Sequence, residues 1–561
     1  MGSQYIPLPT SASPDVDTPS TPLLASSPSR GHGGLVFNAD ATYTYSYGPG
    51  GLSGLRHNYY ALLCAVFASI GGLSFGYDQG VIANVLVMQD FVRRWPVTPL
   101  QKGALTAVLE LGALVGALSS GVFADKYSRR HSIFFACVIF NIGALLQCLA
   151  QNLTHLFIGR SVGGIGVGAL SMLSPLYIAE ISPPEVRGSL IALEQFSIVL
   201  GVVVGFWIGF FTRNIPSSLS WRLPLGIQII PGVLLALGAI FLLPPSPRLL
   251  VLKGRHDEAE ASLVRLRGRD DALTKIELLE MRIEAKLISA AAGGDAHTQG
   301  KPGSSALGEV VAWARLFGKQ YRARTMVGVL MMVFQQWSGI NALLYYGPTL
   351  VRSIGLQGET VGLLVSGGIG IVQFLAVGPA VVWIDRVGRK PLLRGGSAVM
   401  SAAHLIIALL VQSFHDDWPA HSGAAWIAVI GIYTFTFAYG VSFGPIGWVL
   451  PSEVFPLSMR GRGVALSTAS NWMNNFLIGL ITPVMMELSP AGTFLTFSVA
   501  CFLAYLWATY SVPETAGVAL EDMDRVFGSE VGSEDAARRR QVEEELGLRA
   551  EIDRLVASQE R

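Results

Sequence analysis

Charge is scarce in this chain. Only 14% of its 561 residues are Asp, Glu, Lys or Arg, where a soluble domain carries about 25%. That excludes an ordinary soluble globular protein. The formal net charge is +1, which argues against a nucleic acid or another polyanion as partner. Cysteine is scarce too. Cys64, Cys137, Cys148 and Cys501 all fall inside apolar runs, so neither a disulfide framework nor a thiolate metal site is expected. The N-terminus has no basic stretch followed by an apolar core, and so no cleavable signal peptide is expected. No phosphate-binding Walker loop occurs in the sequence, which argues against work driven by ATP.

What is abundant is apolar length. Hydrophobic residues make up 51% of the chain, and the mean hydropathy is +0.47. A helix needs about 20 apolar residues to cross a bilayer. Runs of that length lie at 57–82, 104–124, 132–151, 155–178, 189–212 and 222–243, and again at 325–351, 361–384, 391–413, 425–450, 462–487 and 491–512. The expected fold is an all-α membrane protein of twelve transmembrane helices, in two six-helix halves at 57–243 and 325–512. Residues 1–56 read as a disordered N-terminal tail, too polar and Pro-rich to bury a core. Residues 244–324 read as a helical linker, and 513–561 as a charged C-terminal tail.

Two short patterns occur once in each half. Asp125…Arg129-Arg130 returns as Asp385…Arg389-Lys390, 260 positions later. Glu180…Arg187-Gly188 returns as Glu453…Arg460-Gly461. Duplication of this length in an apolar chain points to two matching bundles, a recurring carrier architecture. Placed at helix ends, these charges can form ion pairs that lock the inner mouth. They also suit topogenesis, since positive loops stay inside; the repeated acidic partners favour the gate. The short loops on the N-terminal side of the bilayer hold ten Lys or Arg residues, against five on the other side. Both termini are therefore expected in the cytoplasm. Asn152-Leu153-Thr154 is then an outer glycosylation sequon, in a loop too short for efficient modification.

Intramembrane polar residues carry the chemistry. Asp78 ends the first run and Arg160 lies in the fourth; each is costly in a bilayer unless paired or functional. Ionised, they form a pair. Protonated, Asp78 releases Arg160, which makes a proton switch. Gln335, Gln336 and Asn341 form a second group. Gly339 permits a local break that turns all three amides into one cavity. Amides offer both donor and acceptor to neutral hydroxyls, although helix–helix glue is their commoner membrane role. Tyr345 and Tyr346 follow; an outer gate and plain packing fit them equally. Gly164, Gly166 and Gly168 lie inside a span and suit helix packing rather than nucleotide binding.

The chain resembles the sugar porter family of the major facilitator superfamily over roughly residues 57–520. The anchors are Gly76-Tyr77-Asp78, Asp125…Arg129-Arg130, Gly159-Arg160…Gly163-Gly164, Pro247-Arg248, Gln335-Gln336…Gly339-Ile340-Asn341, Asp385…Gly388-Arg389, Gly444-Pro445…Trp448 and Pro513-Glu514-Thr515. It is most similar to fungal sugar/proton symporters. The resemblance implies the major facilitator fold, a cytoplasmic linker and the plasma membrane. It also implies a carrier rather than an enzyme, with no cofactor and a functional monomer in the lipid bilayer. The expected cargo is a small neutral sugar, such as glucose or another hexose, with a proton. The resemblance adds Gln195, Asn471 and Trp448 as sugar contacts, and assigns Asp78 to proton coupling. A hexose uniporter, a disaccharide, polyol or quinate carrier, and a transporter-like sugar sensor are alternatives. Three departures stand out. Pro245 and Ala516 replace a family Glu and Lys, and the loop at 84–103 holds no Cys for a tethered lid.

Overall fold

The structure is a computed structural model. It describes residues 34–37, 43–47, 51–183, 186–291, 313–319, 321–353, 359–414, 417–455, 459–515, 527, 531–548, 550, 552 and 554. Among these, eleven helices are long and apolar enough to cross a membrane. In the first half they are span 1 (Tyr59–Val85), span 2 (Pro99–Ser120), span 3 (Arg129–Cys148), span 4 (Leu153–Ile181), span 5 (Leu190–Thr212) and span 6 (Leu219–Phe241). In the second they are span 7 (Arg322–Ser353), span 8 (Thr360–Ala380), span 9 (Arg389–Phe414), span 10 (Ser422–Pro451) and span 12 (Pro490–Tyr510). The Arg460–Leu488 helix occupies the remaining place, as span 11.

The helix ends follow local chemistry more than apolarity. Span 2 begins at Pro99, ahead of its apolar run, because Thr98 and Gln101 form a reciprocal capping box with Pro at the first turn. Span 4 starts where the Asn152 side chain accepts from the His155 amide at 2.7 Å. The sequon asparagine is thus a helix cap. Span 7 breaks at Ser338–Gly339 between the helices Arg322–Trp337 and Ile340–Ser353. Gly339 has φ +92°, a conformation that L side chains rarely adopt. Span 10 breaks similarly at Ser442.

The first half is stitched by small residues. Span 1 packs on span 5, span 2 on span 4, and span 3 on span 4. The glycines of span 4 meet backbone: a Cβ on Gly164 would lie 2.1 Å from the Leu109 carbonyl, and one on Gly168 1.9 Å from that of Ala113. The two halves meet through spans 2 and 11 and through spans 5 and 8.

On the linker side, Pro247–Leu252, His256–Arg267 and Ala272–Ala291 form three helices. Arg267 pairs with Glu277 at 2.6 Å and donates to the Ile181 carbonyl at the end of span 4. Burial, the largest single influence, pushes the Glu277 carboxyl up, but the Arg267 guanidinium, the Tyr47 hydroxyl and Arg248 together outweigh it and hold the group below its ordinary range. The N-terminal tail is not wholly without structure. Strands Gly34–Phe37 and Tyr43–Ser46 pair as an antiparallel hairpin. Leu, Val, Phe, Tyr and Thr concentrate there within an otherwise polar tail, which suits a strand. Tyr47 then donates to Glu277 at 2.7 Å, tying the hairpin to the linker. The C-terminal helix Val531–Glu545 packs on the linker helix Ala272–Ala291.

Candidate functional site

Spans 1 and 4 bring Asp78 and Arg160 together. Arg160 Nη2 lies 3.3 Å from Asp78 Oδ2, and both side chains are only 1% exposed. Span 2 holds the arginine in place, since Nε donates to the Leu105 carbonyl at 2.7 Å. Asp78 Oδ1 and Arg160 Nη1 have no hydrogen-bond partner among the described residues. The pair is therefore single-stranded rather than the bidentate fork that arginine forms in a static lock. Such a contact can be broken without dismantling a network.

The break in span 7 spreads the amides over one region, and they divide into two roles. Gln335 is saturated: Nε2 donates to the Phe443 carbonyl at 2.9 Å, at the break in span 10, and Oε1 accepts from Asn471 Nδ2 at 2.6 Å. These two residues hold spans 7, 10 and 11 together. Gln336 Oε1 accepts from Asn341 Nδ2 at 2.6 Å, and Asn341 Nδ2 also donates to Asn475 Oδ1 at 2.9 Å. That leaves Gln336 Nε2 as a donor and Asn341 Oδ1 as an acceptor without a protein partner among the described residues. Gln195 and Trp448 are partly exposed and join neither amide group by a hydrogen bond.

Tyr345 and Tyr346 are 1% and 3% exposed. The Tyr346 hydroxyl donates to the Gly479 carbonyl at 2.6 Å. The Tyr345 hydroxyl donates to Glu110 Oε1 at 2.8 Å and accepts from Gln79 Nε2 at 2.9 Å. Both tyrosines thus join span 7 to other helices towards the end away from the linker. Glu110, in span 2, belongs to none of the sequence motifs. Its signal in the sequence is the one that marks Asp78, a carboxylate inside an apolar run. Glu194, next to Gln195, carries the same signal and is buried against Gly72 of span 1. His404 is wrapped by Phe435, Phe494 and Phe497 and bonds the Ser338 carbonyl at 3.0 Å, a packed polar group at the span 7 break.

The duplicated charges sit at helix ends on the linker side. Arg129 bonds Glu180 through Nε at 3.0 Å and Nη2 at 2.9 Å. Arg389 Nη2 bonds Glu453 Oε1 at 2.7 Å. Each pair joins two helices of the same half: spans 3 and 4 in one, spans 9 and 10 in the other. Neither bridges the mouth between halves. Glu514 explains part of another motif: its oxygens accept from the Arg389 and Lys390 amides at 2.9 and 3.1 Å, capping span 9. Thr515 donates to Glu453 at 2.6 Å. Arg130 and Lys390 are partly exposed. The side chains of Asp125, Arg187, Asp385 and Arg460 lie outside the described residues, as does Ala516.

Pairs of this kind contribute about 0–1 kcal/mol when exposed, and more where partly buried. Because each pair is largely buried and joins helices of one half, Arg129→Ala or Arg389→Ala is expected to loosen that half and to shift the balance of conformations only indirectly, by a few-fold at most. The check is the maleimide labelling rate of a cysteine placed at the linker-side mouth. Unchanged rates at equal protein levels would assign these residues to insertion and topology.

A family model described as Sugar (and other) transporter matches residues 64–527. The chain belongs to the sugar porter family. Among its relatives, a D-xylose transporter of Levilactobacillus brevis is 32% identical over 84% of this chain and 96% of its own length. The low-affinity glucose transporter HXT1 of Saccharomyces cerevisiae is 30% identical, over 84% of this chain and 82% of its own. A solved structure of XylE, a proton:xylose symporter bound to 6-bromo-6-deoxy-D-glucose, superposes with a TM-score of 0.68 at 26% identity, covering 84% of this chain and 99% of that one. The twelve-helix architecture is the major facilitator fold, and this sugar porter is a multi-pass membrane protein that transports sugar.

Proposed function

We propose that this sugar porter imports a small neutral monosaccharide together with a proton, across the plasma membrane, with both termini in the cytoplasm. The observation that carries the reading is the buried, singly bonded Asp78–Arg160 pair. A charge pair held in that setting is a functional group by default. The cycle runs by rocking of the two halves around the mid-membrane amides. A proton taken up by Asp78 neutralises it and releases Arg160; loss of that proton on the other side restores the pair. Binding of sugar and proton favours the state that exchanges sides, so the proton gradient drives accumulation.

In this reading Gln336 and Asn341 meet the sugar directly, because they alone in the span 7 cluster keep a spare donor and acceptor. Gln335 and Asn471 contribute chiefly by shaping the cavity, and Trp448 and Gln195 line it from spans 10 and 5. An aromatic face suits the C–H patches of a pyranose. Glucose is the first sugar to test, since relatives include transporters named for glucose as well as xylose. A polyol is the second reading, favoured by a 32% identical relative described as a probable polyol transporter; its hydroxyls would use the same amides.

Replacing Gln336 or Asn341 by Ala is expected to weaken D-glucose binding. One neutral hydrogen bond contributes about 0.5–1.5 kcal/mol, a change of roughly three- to tenfold. Binding to the purified carrier, followed by tryptophan fluorescence, measures it. Unaltered affinity in both folded variants would make these amides packing residues.

A further inference from the structure

Glu110 is a further buried carboxylate besides Asp78, and it is bound by the opposite half. It lies on span 2, is 1% exposed, and directs both oxygens to C-terminal helices. Oε1 accepts from the Tyr345 hydroxyl of span 7 at 2.8 Å, and Oε2 accepts from Asn475 Nδ2 of span 11 at 3.0 Å. Arg160 makes no hydrogen bond to it; its Nη2 and Nε bond Asp78 and the Leu105 carbonyl. Its two partners are themselves linked. Asn475 Nδ2 reaches the Tyr345 hydroxyl at 3.0 Å, and Asn475 Oδ1 accepts from Asn341 at 2.9 Å. Gln79 of span 1 adds a second bond to Tyr345 across the halves, at 2.9 Å. A continuous chain therefore runs from Asn341, through Asn475, to Glu110 and Tyr345.

The chemistry of the residue fits this place. Both oxygens of Glu110 accept hydrogen bonds, and both groups facing them are donors. Any movement that parts the halves at the end away from the linker must break these bonds, because donors and acceptor lie on different halves. The same movement disturbs Asn475 and, through it, Asn341. We propose that Glu110 is a positioning residue of the transport cycle: it anchors a latch that shuts the end away from the linker, and it holds Asn475 so that Asn341 is set for the sugar. The second half of this inference rests on the reading that Asn341 contacts the sugar; the latch does not.

The test uses the full-length carrier in membranes, with Cys148→Ser to remove the partly exposed thiol. One reporter is Leu363→Cys, in the cluster that spans 1, 5 and 8 form away from the linker. The other is Phe374→Cys, whose ring meets Phe196 across the halves nearer the linker, at 4.6 Å. Glu110→Gln keeps the shape but turns an NH2 donor towards a donor. It is expected to speed maleimide labelling at position 363 on the order of tenfold and to slow it at position 374. Glu110→Asp should recover part of the effect. Combined with Tyr345→Phe, Glu110→Gln should change labelling little beyond the larger single effect, because both remove one contact. Equal acceleration at both reporters would mean loosened packing, and unchanged rates would remove the latch; either overturns the proposal. Binding of D-glucose and D-xylose separates the dependent part. If Asn341→Ala leaves both affinities unaltered, the sugar-site reading fails while the labelling result still decides the latch. If Asn341→Ala weakens binding and Glu110→Gln does not, the positioning role fails.

Discussion

Asp78→Asn is expected to leave a carrier that equilibrates sugar and no longer accumulates it. The replacement keeps size and hydrogen-bonding shape but cannot take up or release a proton. Arg160, 1% exposed, loses its counter-ion. Breaking one member of a buried pair costs about 3–5 kcal/mol, so protein yield should fall as well, and uptake must be scaled to carrier at the surface. The informative comparison is between net accumulation and exchange of labelled sugar for unlabelled sugar at equal concentrations. Exchange needs the halves to rock with cargo bound and needs no net proton transfer, so it should survive in part. Accumulation of labelled D-glucose in yeast lacking its own hexose carriers should disappear. Uncoupler-sensitive accumulation by Asp78→Asn at parental levels would reduce Asp78 to a structural ion-pair partner.

Gly76→Val is expected to abolish the folded carrier. A Cβ at Gly76 would lie 1.8 Å from the Ile198 carbonyl oxygen of span 5. That obstacle is backbone, so no side chain can swing aside. The same contact repeats along the pair: Gly80 against the Val202 carbonyl at 2.2 Å, Gly201 against that of Leu73 at 2.2 Å, and Gly205 against that of Tyr77 at 2.3 Å. Both helices therefore offer glycine to the other's backbone, and neither can shift alone. Overpacking a core costs about 1–3 kcal/mol, and more when the surroundings cannot move. Here the helices must separate, and Asp78 is two residues away. Monodisperse carrier recovered after detergent extraction is the measure. A normal yield with normal transport would show that spans 1 and 5 are not this tightly set.

The spans were legible because a bilayer imposes length and apolarity on every crossing helix. Asp78 and Arg160 were legible for the related reason that charge is rare there and stands out. The break at Gly339 was legible from a glycine among polar residues. Other features depend on which helices become neighbours. The pairing of Arg129 with Glu180 inside one half, and of Arg389 with Glu453 inside the other, follows from spans 3–4 and 9–10 packing together; the motifs alone also allow bridges between halves. Gln335 and Asn471 look like free amides in the sequence, yet in the fold they bind each other and the span 10 backbone. Glu110 escapes a motif-based reading because it belongs to none of the motifs. The hairpin at Gly34–Phe37 and Tyr43–Ser46 is hidden by the Ser/Pro-rich composition around it.

Proton movement on addition of sugar tests the central claim most directly. The purified carrier is placed in liposomes with a pH-sensitive dye inside and no imposed gradient, and D-glucose or D-xylose is added outside. Coupled import predicts acidification of the lumen that begins with sugar entry, scales with it, and is absent from Asp78→Asn liposomes that still exchange sugar. Sugar entry at the full rate with no change in internal pH would contradict proton coupling and leave a uniporter.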